Sequence, residues 1–371
     1  MFQNELKDWV ASSADTWRVN AKKITESFLE QGLQDRAITR DTDWGIPVPL
    51  EGYTDKCLYV WFDAVLGYLS ASKHFTERSG QPEYWDWRQW WQNPDAVHYY
   101  VHGKDNVPFH ALILPAILKG VGDLHLPDKV FASEYLSLEG NQFSTSKAHA
   151  VWVHDFLKNF DSELIRYFLI AQGPETSDID FRWSEFGQLV NGELIGTFGN
   201  LVNRVCTFAE VNFPDGVSAQ KTLDAQSEDI LTLTEQTFDV VGESITNGRF
   251  RRAFRKILEV AEQGNQFMHA KEPWKTIETD PQQVETDLLV LLHTIRSLAI
   301  LIQPFLPKTS ATIQSFFVGV SIINSESDSL PSASWSYMPL PTRITISHTR
   351  PLFKKVEADA IDRQKGGGGP A

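Results

Sequence analysis

The sequence predicts an α/β layer with a parallel sheet, followed by an all-α helical bundle. Three observations lead to this fold class. Short apolar runs alternate with helical patterns up to residue 155, longer segments with helical spacing follow, and the chain of 371 residues is 42% hydrophobic. Alternation of strands and helices is typical of parallel sheets. A chain of this length and apolar content can bury more than one core.

The first part of the chain reads as helices, then a turn-rich connection, then alternating strands and helices. Residues 1–34 have apolar positions at helical spacing, and residues 41–49 contain Gly45, Pro47 and Pro49, which favour turns. The predicted strands are residues 58–62, 98–102 and 129–133, and the predicted helices are residues 64–74 and 108–118. This alternation predicts neighbouring parallel strands.

The second part of the chain carries apolar stripes that are typical of helices packed in a bundle. Helices are predicted over residues 161–171, 230–244 and 284–302. Two further helices are defined by the stripes Leu194, Phe198, Leu201, Val205 and Phe208, and Phe250, Phe254, Ile257, Leu258 and Ala261. We therefore predict about four or five long helices after the α/β layer.

Composition excludes several classes of protein. The two cysteines, Cys57 and Cys206, cannot form a four-cysteine zinc site, so no zinc site is expected in this chain. No apolar run is long enough for a membrane helix, and the first ten residues lack an apolar signal core. We therefore expect a cytoplasmic protein without a membrane partner.

The net charge of −14 argues against general nucleic-acid binding, because phosphate binding needs a basic surface. One basic cluster stands out in this acidic chain and consists of Arg249, Arg251, Arg252, Arg255 and Lys256. The cluster is either a solvated helix face with ion pairs or a surface that faces RNA.

The segment GKDNVPFH, residues 103–110, follows a predicted strand. Ligands of open α/β sheets bind beyond the carboxyl ends of the strands, and an acid there, Asp105, can accept hydrogen bonds from ribose hydroxyls. His110 falls on the first turns of the next helix and faces the same crevice. Alternatively, Asp105 is a helix cap and His110 a half-buried histidine without a ligand.

The segment LYVWFDAVLGY, residues 58–68, places aromatic residues around a small one. Trp61 leaves a predicted strand, and Ala64 and Tyr68 lie one helical turn apart on one face. An aromatic wall beside a small residue suits a slim thioether side chain, because sulfur makes favourable contacts with aromatic rings. The alternative is ordinary core packing.

The segment NQFSTSKAH, residues 141–149, offers the hydroxyls of Ser144, Thr145 and Ser146 and the ammonium of Lys147. A mobile polar loop over a nucleotide can hold phosphates and stabilise the charge that develops in adenylyl transfer. A surface turn rich in serine and threonine is the alternative.

A fourth group lies in the predicted bundle. Asn200 and Arg204 are four residues apart and share a helix face, and Trp274 follows Pro273 after another helix. An indole beside amide and guanidinium groups can stack on unpaired bases and read them. Alternatively, Arg204 forms an interhelical ion pair and Trp274 closes the end of a helix.

The order of these motifs resembles methionyl-tRNA synthetases. The chain carries YVWxDAxxGY, GKDxxxFH, a KMSKS-like loop, DSELIRYFL, NLVNR and EPW in that order, and AITRDTDWGIPVP precedes them. The resemblance covers residues 33–341. It implies activation of methionine with ATP, in the presence of Mg²⁺, to methionyl-adenylate, followed by transfer to methionine tRNA.

The resemblance also assigns residues to roles. It implies a methionine pocket from Trp61, Ala64, Tyr68 and His110, and nucleotide contacts from Gly103, Lys104, Asp105 and Thr145. The catalytic loop would contribute Ser144, Thr145, Ser146 and Lys147, and the CAU anticodon would be read by Asn200, Arg204 and Trp274.

The resemblance further implies five segments along the chain. These are a helical segment re-entering from a connective insert (1–45), the carboxy-terminal half of a class I Rossmann-type catalytic domain (46–155), a linker and stem-contact region (156–182), a helical anticodon-binding domain (183–345) and a tail with a flexible glycine-rich end (346–371).

Two departures from the family pattern matter. The family's loop KMSKS reads QFSTS at residues 142–146, so both lysines are replaced and only Lys147 follows the motif. No His-x-Gly-His occurs in the sequence, so the first half of the catalytic domain is expected to be absent from it, and the residues leave open whether a separate chain supplies that half. The alternatives to an active ligase are a non-catalytic module that binds the anticodon, and a remnant without either activity.

Overall fold

The computed structural model describes residues 2–80, 85–144, 146–318 and 335–366. The chain divides into two compact units. The first contains Met1–Tyr135 and Glu175–Ser177, and the second contains Leu136–Pro174 and Asp178–Ala371. The boundaries of the five segments inferred above stay predictions.

The described residues of the first unit form short strands and six α-helices. The helices are α1 (Gln3–Ser13), α2 (Val19–Gln31), α3 (Val60–Ala64), α4 (Gly67–Arg78), α5 (Arg88–Trp91) and α6 (Leu114–Val121). The strands are β1 (Thr39–Arg40), β2 (Cys57–Leu58), β3 (Tyr99–Gly103) and β4 (Lys129–Ser133). Two 3₁₀ turns span Ala14–Thr16 and Lys104–Asn106, and a π-helical segment spans Phe109–Ile113.

A parallel pair of strands forms the centre of this unit. In β3 and β4, Tyr99 pairs with Lys129 and Gly103 pairs with Ser133. The chain crosses from one strand to the next through the π-helical segment and α6, as a parallel connection requires. Helices α1 and α2 belong to the same apolar cluster as Val130. The parallel pair and its crossover confirm the predicted α/β class.

The predicted strand over residues 58–62 is wrong beyond Leu58. Only Cys57 and Leu58 pair with β1, in an antiparallel register, and helix α3 begins at Val60. The helix predicted over residues 64–74 is also divided, because α3 ends at Ala64 and α4 begins at Gly67. Apolar runs this short do not distinguish a strand from a helix by their periodicity.

The second unit is mainly helical. Its helices are α7 (Val153–Asn159), α8 (Ser162–Gln172), α9 (Trp183–Leu189), α10 (Asn200–Asn212), α11 (Ala225–Thr246), α12 (Phe250–Lys271), α13 (Pro273–Thr276), α14 (Pro281–Ile302), α15 (Pro307–Gln314) and α16 (Ala358–Gly366). A π-helical segment, Val190–Gly199, joins α9 to α10. The strands are β5 (Leu136–Leu138), β6 (Asn141–Gln142), β7 (Ile179–Phe181), β8 (Val217–Ser218) and β9 (Arg343–Ile344).

Helix α14 lies at the centre of the bundle. Its residues from Thr286 to Ile302 are buried with the exception of Arg296, so the helix is covered by protein on almost every side. A helix of this type belongs in a protein core. Helices α10, α11 and α12 contribute to the same apolar cluster, which confirms the predicted bundle. In the part of the chain that the structure describes, no helix has the length and hydropathy needed to cross a membrane.

A buried glutamate connects α8 to α15. Glu163 is 3% exposed. One carboxylate oxygen accepts a hydrogen bond of 2.6 Å from the backbone N–H of Lys308, and the other accepts bonds from the N–H (2.9 Å) and hydroxyl (2.5 Å) of Thr309. The carboxylate therefore satisfies N–H groups at the start of α15 that the helix leaves unpaired.

We expect Glu163→Ala to lower the free energy of unfolding by about 2 kcal/mol, because buried donors would lose their acceptor. Urea denaturation followed by circular dichroism measures this loss. Glu262→Ala is the control, because Glu262 is an exposed glutamate on α12. Equal midpoints for the two variants would contradict the role of Glu163.

The basic cluster of α12 is partly used within the bundle. One Arg251 nitrogen donates to the carbonyl of Gly173 at 2.8 Å, and the Lys256 ammonium lies 2.6 Å from Glu259. Arg255 is exposed. These contacts favour the ion-paired interpretation for Lys256 and a structural role for Arg251.

Candidate functional site

Aromatic side chains of α3, α4 and the π-helical segment form an exposed wall in the first unit. Trp61 is 49% exposed and stacks on Phe109, with ring centroids 5.5 Å apart. Tyr68 is 47% exposed and packs edge-on against Tyr100 at 5.6 Å. Trp61 and Tyr68 therefore present aromatic surface that the core does not cover, in contrast to ordinary core packing.

A hydrogen bond joins two of the residues expected in the pocket. His110 is buried, and its Nδ1 lies 2.9 Å from the carbonyl oxygen of Asn106, so Nδ1 is the protonated nitrogen. Its Nε2 is then the acceptor for the Tyr68 hydroxyl at 2.9 Å. Burial lowers the pKa of His110, which favours the neutral ring. Ala64, the fourth residue of the set, is exposed at the end of α3.

Sequence reasoning did not identify His102, which lies on β3 against the same histidine. The rings of His102 and His110 are stacked, with centroids 4.3 Å apart and planes inclined by 22°. Burial, and the neighbouring His110, lower the pKa of His102 to about 4. The only signal in the sequence was its position one residue before Gly103, at the end of a strand.

A cleft of about 640 Å³ runs beside the ring of His102. Its wall includes Tyr68, Tyr100 and His102, together with Trp91 from α5. Burial raises the pKa of Tyr100, so its phenol stays protonated at physiological pH. The cleft therefore offers aromatic surface and neutral polar atoms, which suits an apolar ligand with a polarisable atom.

Gly103, Lys104 and Asp105 lie at the carboxyl end of β3, as predicted. Asp105 is exposed within a 3₁₀ turn and its side chain does not cap a helix. Its carboxylate accepts a hydrogen bond from the Tyr135 hydroxyl at 2.5 Å. The Lys104 ammonium lies 2.6 Å from Glu134. The acid thus lies where ligands of parallel sheets bind.

The serine-rich loop belongs to the second unit and follows the hairpin of β5 and β6. Ser144 pairs with His149 through two backbone hydrogen bonds of 2.9 Å, which closes a tight loop. The hydroxyls of Ser144 and Ser146 are 3.2 Å apart, and the backbone N–H of Lys147 donates to Ser144 at 3.3 Å. Ser146 and Lys147 are exposed. Thr145 lies outside the described residues.

A carboxylate stabilises the hairpin that precedes the loop. Asp180 of β7 accepts hydrogen bonds from the N–H of Gly140 at 2.8 Å and from the Ser137 hydroxyl at 2.8 Å. Arg182 lies 2.9 Å from the same carboxylate and, with these bonds, lowers the pKa of Asp180. The turn between β5 and β6 is therefore held by charge-assisted bonds to Asp180, whereas Ser146 and Lys147, beyond β6, are exposed.

The group of Asn200, Arg204 and Trp274 lies on α10 and α13. The guanidinium of Arg204 is 5.4 Å from the centroid of the Trp274 ring, within the range of a cation–π contact. Trp274 is 40% exposed and Asn200 is exposed on the same helix as Arg204. The structure therefore brings Arg204 and Trp274 together at the surface, and neither is enclosed in the bundle.

Among the residues that the structure describes, no cluster of three or more histidine, cysteine, aspartate or glutamate side chains is arranged to hold a metal ion.

Comparison with known proteins gives two family matches. The family model described as tRNA synthetases class I (M) matches residues 1–206. The model described as anticodon binding domain of methionyl tRNA ligase matches residues 216–366. Together these matches cover most of the chain.

Individual relatives agree with these matches. Methionine–tRNA ligase 1 of Alkaliphilus oremlandii is 40% identical over 363 residues, which cover 98% of this chain and 64% of that protein. Methionine–tRNA ligase of Thermobifida fusca is 37% identical over 403 residues, covering 98% of this chain and 66% of that protein. The chain thus spans slightly less than two thirds of the length of these curated relatives.

Solved structures show the same fold. Mycobacterium tuberculosis methionyl-tRNA synthetase in complex with methionyl-adenylate superposes with a TM-score of 0.79 at 23% identity, covering 95% of this chain and 67% of that chain. The free form of the enzyme from the same organism gives a TM-score of 0.77.

Proposed function

The chain belongs to the methionyl-tRNA synthetase family of class I synthetases, and we propose that it acts as a methionine–tRNA ligase. In this reaction a methionine carboxylate oxygen attacks the α-phosphorus of ATP and pyrophosphate leaves. A hydroxyl of methionine tRNA then takes the methionyl group, and AMP leaves. The observation that carries the proposal is the hydrogen bond of 2.9 Å between Tyr68 and His110, packed against the rings of Tyr100 and His102, in the unit whose parallel strand β3 ends at Gly103, two residues before Asp105. We further propose that the protein works in the cytoplasm.

The methionine pocket is proposed to consist of Trp61, Ala64, Tyr68 and His110. The Tyr68 hydroxyl donates a hydrogen bond to His110, so the surface facing a ligand is aromatic carbon and an oxygen lone pair. A thioether has no hydrogen to donate and gains mainly from contact with aromatic rings. The pocket would therefore select methionine by shape and polarisability more than by hydrogen bonding.

Substitution of Tyr68 by phenylalanine tests this pocket. We expect Tyr68→Phe to raise the KM for methionine about fivefold, the effect of one lost hydrogen bond, because the ring of His110 loses its fixed partner. The KM for ATP should not change. Tyr53→Phe is the control, since Tyr53 is 46% exposed in a loop of the same unit. Equal methionine KM values for both variants would contradict the assignment of Tyr68.

ATP is proposed to bind at the end of β3, with Asp105 accepting from its ribose hydroxyls. Gly103, which has no side chain, leaves room for the nucleotide at this edge. Mg²⁺ would arrive with the ATP phosphates and neutralise part of their charge. Ser144, Thr145, Ser146 and Lys147 are proposed to contact the phosphates through hydroxyl and ammonium donors.

The free edge of β3 supports a further partner. In the described part of the chain β3 pairs only with β4, and Val97, Tyr99 and Val101 are 54%, 44% and 62% exposed. A parallel strand with one unpaired edge and exposed apolar side chains is costly. We propose that a segment bearing His-x-Gly-His adds a strand at this edge.

Methionine-dependent ATP–pyrophosphate exchange tests the proposed function. We expect exchange when the chain is combined with a segment that carries His-x-Gly-His, and little exchange with either alone. Leucine and valine in place of methionine are the controls for specificity. Absence of methionine-dependent exchange in the combined protein would reject the ligase and leave the second candidate.

That second candidate is a non-catalytic module that binds the anticodon of methionine tRNA. It is favoured by the surface position of Arg204 and Trp274, which does not depend on the catalytic unit. It requires that tRNA binding persists without any exchange activity.

A further inference from the structure

The ends of β3 and β4 are linked by two side-chain contacts that follow the strand register. Gly103 pairs with Ser133, so the next two residues of each strand leave the sheet side by side. The Lys104 ammonium lies 2.6 Å from Glu134, and the Tyr135 hydroxyl lies 2.5 Å from Asp105. The proposed ribose-binding acid is therefore one end of a short network.

The other end of the network is fixed to α2. One oxygen of Glu134 accepts from the side-chain amide of Asn20 at 2.9 Å, and the other accepts from Lys104. The Asn20 amide also donates to the carbonyl of Ala132 at 3.1 Å. The side chains of Lys104 and Glu134 are only 21% and 15% exposed. Both oxygens of Glu134 are thus engaged, and this ion pair is better shielded from solvent than most surface pairs.

The network passes from the ion pair to the acid through an aromatic ring. The Lys104 ammonium lies 3.9 Å from the centroid of the Tyr135 ring, which is a close cation–π contact. A cation over the ring draws electron density from the phenol and makes its hydroxyl a stronger donor. That hydroxyl binds one oxygen of Asp105, while the other oxygen makes no hydrogen bond within the described chain. The carboxylate is therefore oriented with one oxygen open.

We propose that Glu134 and Tyr135 are positioning residues that fix the Asp105 carboxylate for a ribose diol. Glu134 holds Lys104 above the ring, Tyr135 orients the carboxylate, and the free oxygen of Asp105 receives a ribose hydroxyl. In this arrangement Lys104 supports the tyrosine and does not contact the phosphates. The inference rests on the proposed function, since it requires a nucleotide at the end of β3.

Nucleotides with and without ribose hydroxyls test this role. Calorimetry would measure the binding of ATP and of 2′,3′-dideoxy-ATP to the unmodified chain and to the variants Glu134→Gln and Tyr135→Phe. We expect the unmodified chain to prefer ATP by about tenfold, as charge-assisted hydrogen bonds would give. Both variants should lose most of the preference for ATP. Their affinity for 2′,3′-dideoxy-ATP should equal that of the unmodified chain.

A control and the contrary outcomes make the test specific. Asp15→Asn removes the carboxylate of another short ion pair in the same unit, with Lys22 at 2.7 Å, and should leave the tenfold preference intact. Equal weakening of both nucleotides by Glu134→Gln would indicate a structural role and overturn the inference. Tighter ATP binding by Tyr135→Phe would overturn it too, because the tyrosine would then compete with the ribose.

Failure of the inference can be told from failure of the proposed function. If ATP–pyrophosphate exchange depends on methionine and the two variants keep the ribose preference, only the positioning role is wrong. If the unmodified chain binds neither nucleotide and the combined protein shows no exchange, both are wrong.

Discussion

We expect the double substitution Gln142→Lys and Thr145→Lys to raise the rate of methionine-dependent ATP–pyrophosphate exchange about a hundredfold, the effect of a preorganised donor at a site of developing charge. Both positions carry lysine in the family's KMSKS loop. Pyrophosphate departs with growing negative charge, which an ammonium stabilises and a neutral amide or hydroxyl does not. The measurement is the exchange rate at saturating methionine and ATP, with the segment that completes the sheet.

Gln142 is exposed on β6, and the turn of the preceding hairpin is held by Asp180, so a lysine at position 142 should add charge without changing the hairpin. Asn141→Lys is the matched control, because it adds a cation at the neighbouring exposed position. Equal acceleration by this control would mean that general attraction of ATP, and not a contact in the transition state, is responsible.

Lys147 is the candidate for a cation that replaces the two family lysines in the native loop. It is exposed, and its backbone N–H is tied to Ser144, so its side chain leaves a closed turn towards solvent. If Lys147 serves in place of the family lysines, Lys147→Ala should have almost no effect on the exchange rate once both Gln142 and Thr145 are replaced by lysine. If it does not, Lys147→Ala should be neutral in the native loop as well.

The strands at the centre of the first unit could be predicted from the sequence because each is a local pattern. The predicted strand 129–133 coincides with β4, and the predicted strand 98–102 differs from β3 by one residue at each end. Strand 58–62 failed because its apolar run is as compatible with a helix as with a strand. The bundle was predictable for the same reason as β4, since α12 and α14 have long apolar patterns.

The contacts around the candidate site were less predictable, because they join residues far apart in sequence. Asp105 and His110 could be chosen from their place after a strand. Tyr68, the partner of His110, was assigned to the same pocket by the resemblance, but Tyr135, the partner of Asp105, could not be chosen, because that contact depends on which strand lies beside β3. The register of β3 against β4 is the missing information: once Gly103 is paired with Ser133, the contact between residues 105 and 135 follows.

The replacement of Trp274 by alanine should weaken the binding of methionine tRNA about thirtyfold, since stacking of an unpaired base on an aromatic ring contributes roughly 1–3 kcal/mol. Trp274 is 40% exposed, and Arg204 lies over its ring, so the indole is held in place at the surface. A fixed indole gives a base a stacking surface at little cost in side-chain entropy. Filter binding or fluorescence titration at fixed salt measures the affinity.

Altered anticodons distinguish base reading from general RNA binding. Trp274→Ala should not lower the affinity for a methionine tRNA whose CAU anticodon has been changed. The unmodified chain would not bind an anticodon base of that tRNA on Trp274, so the substitution removes no contact. Arg252→Met is the protein control: Arg252 is an exposed member of the basic α12 cluster, and its loss should weaken both tRNAs equally if the cluster binds phosphates. An equal loss for both tRNAs in Trp274→Ala would mean that the indole supports the bundle and does not read the anticodon. Persistence of the anticodon effect in a chain without exchange activity would favour the non-catalytic module over the ligase.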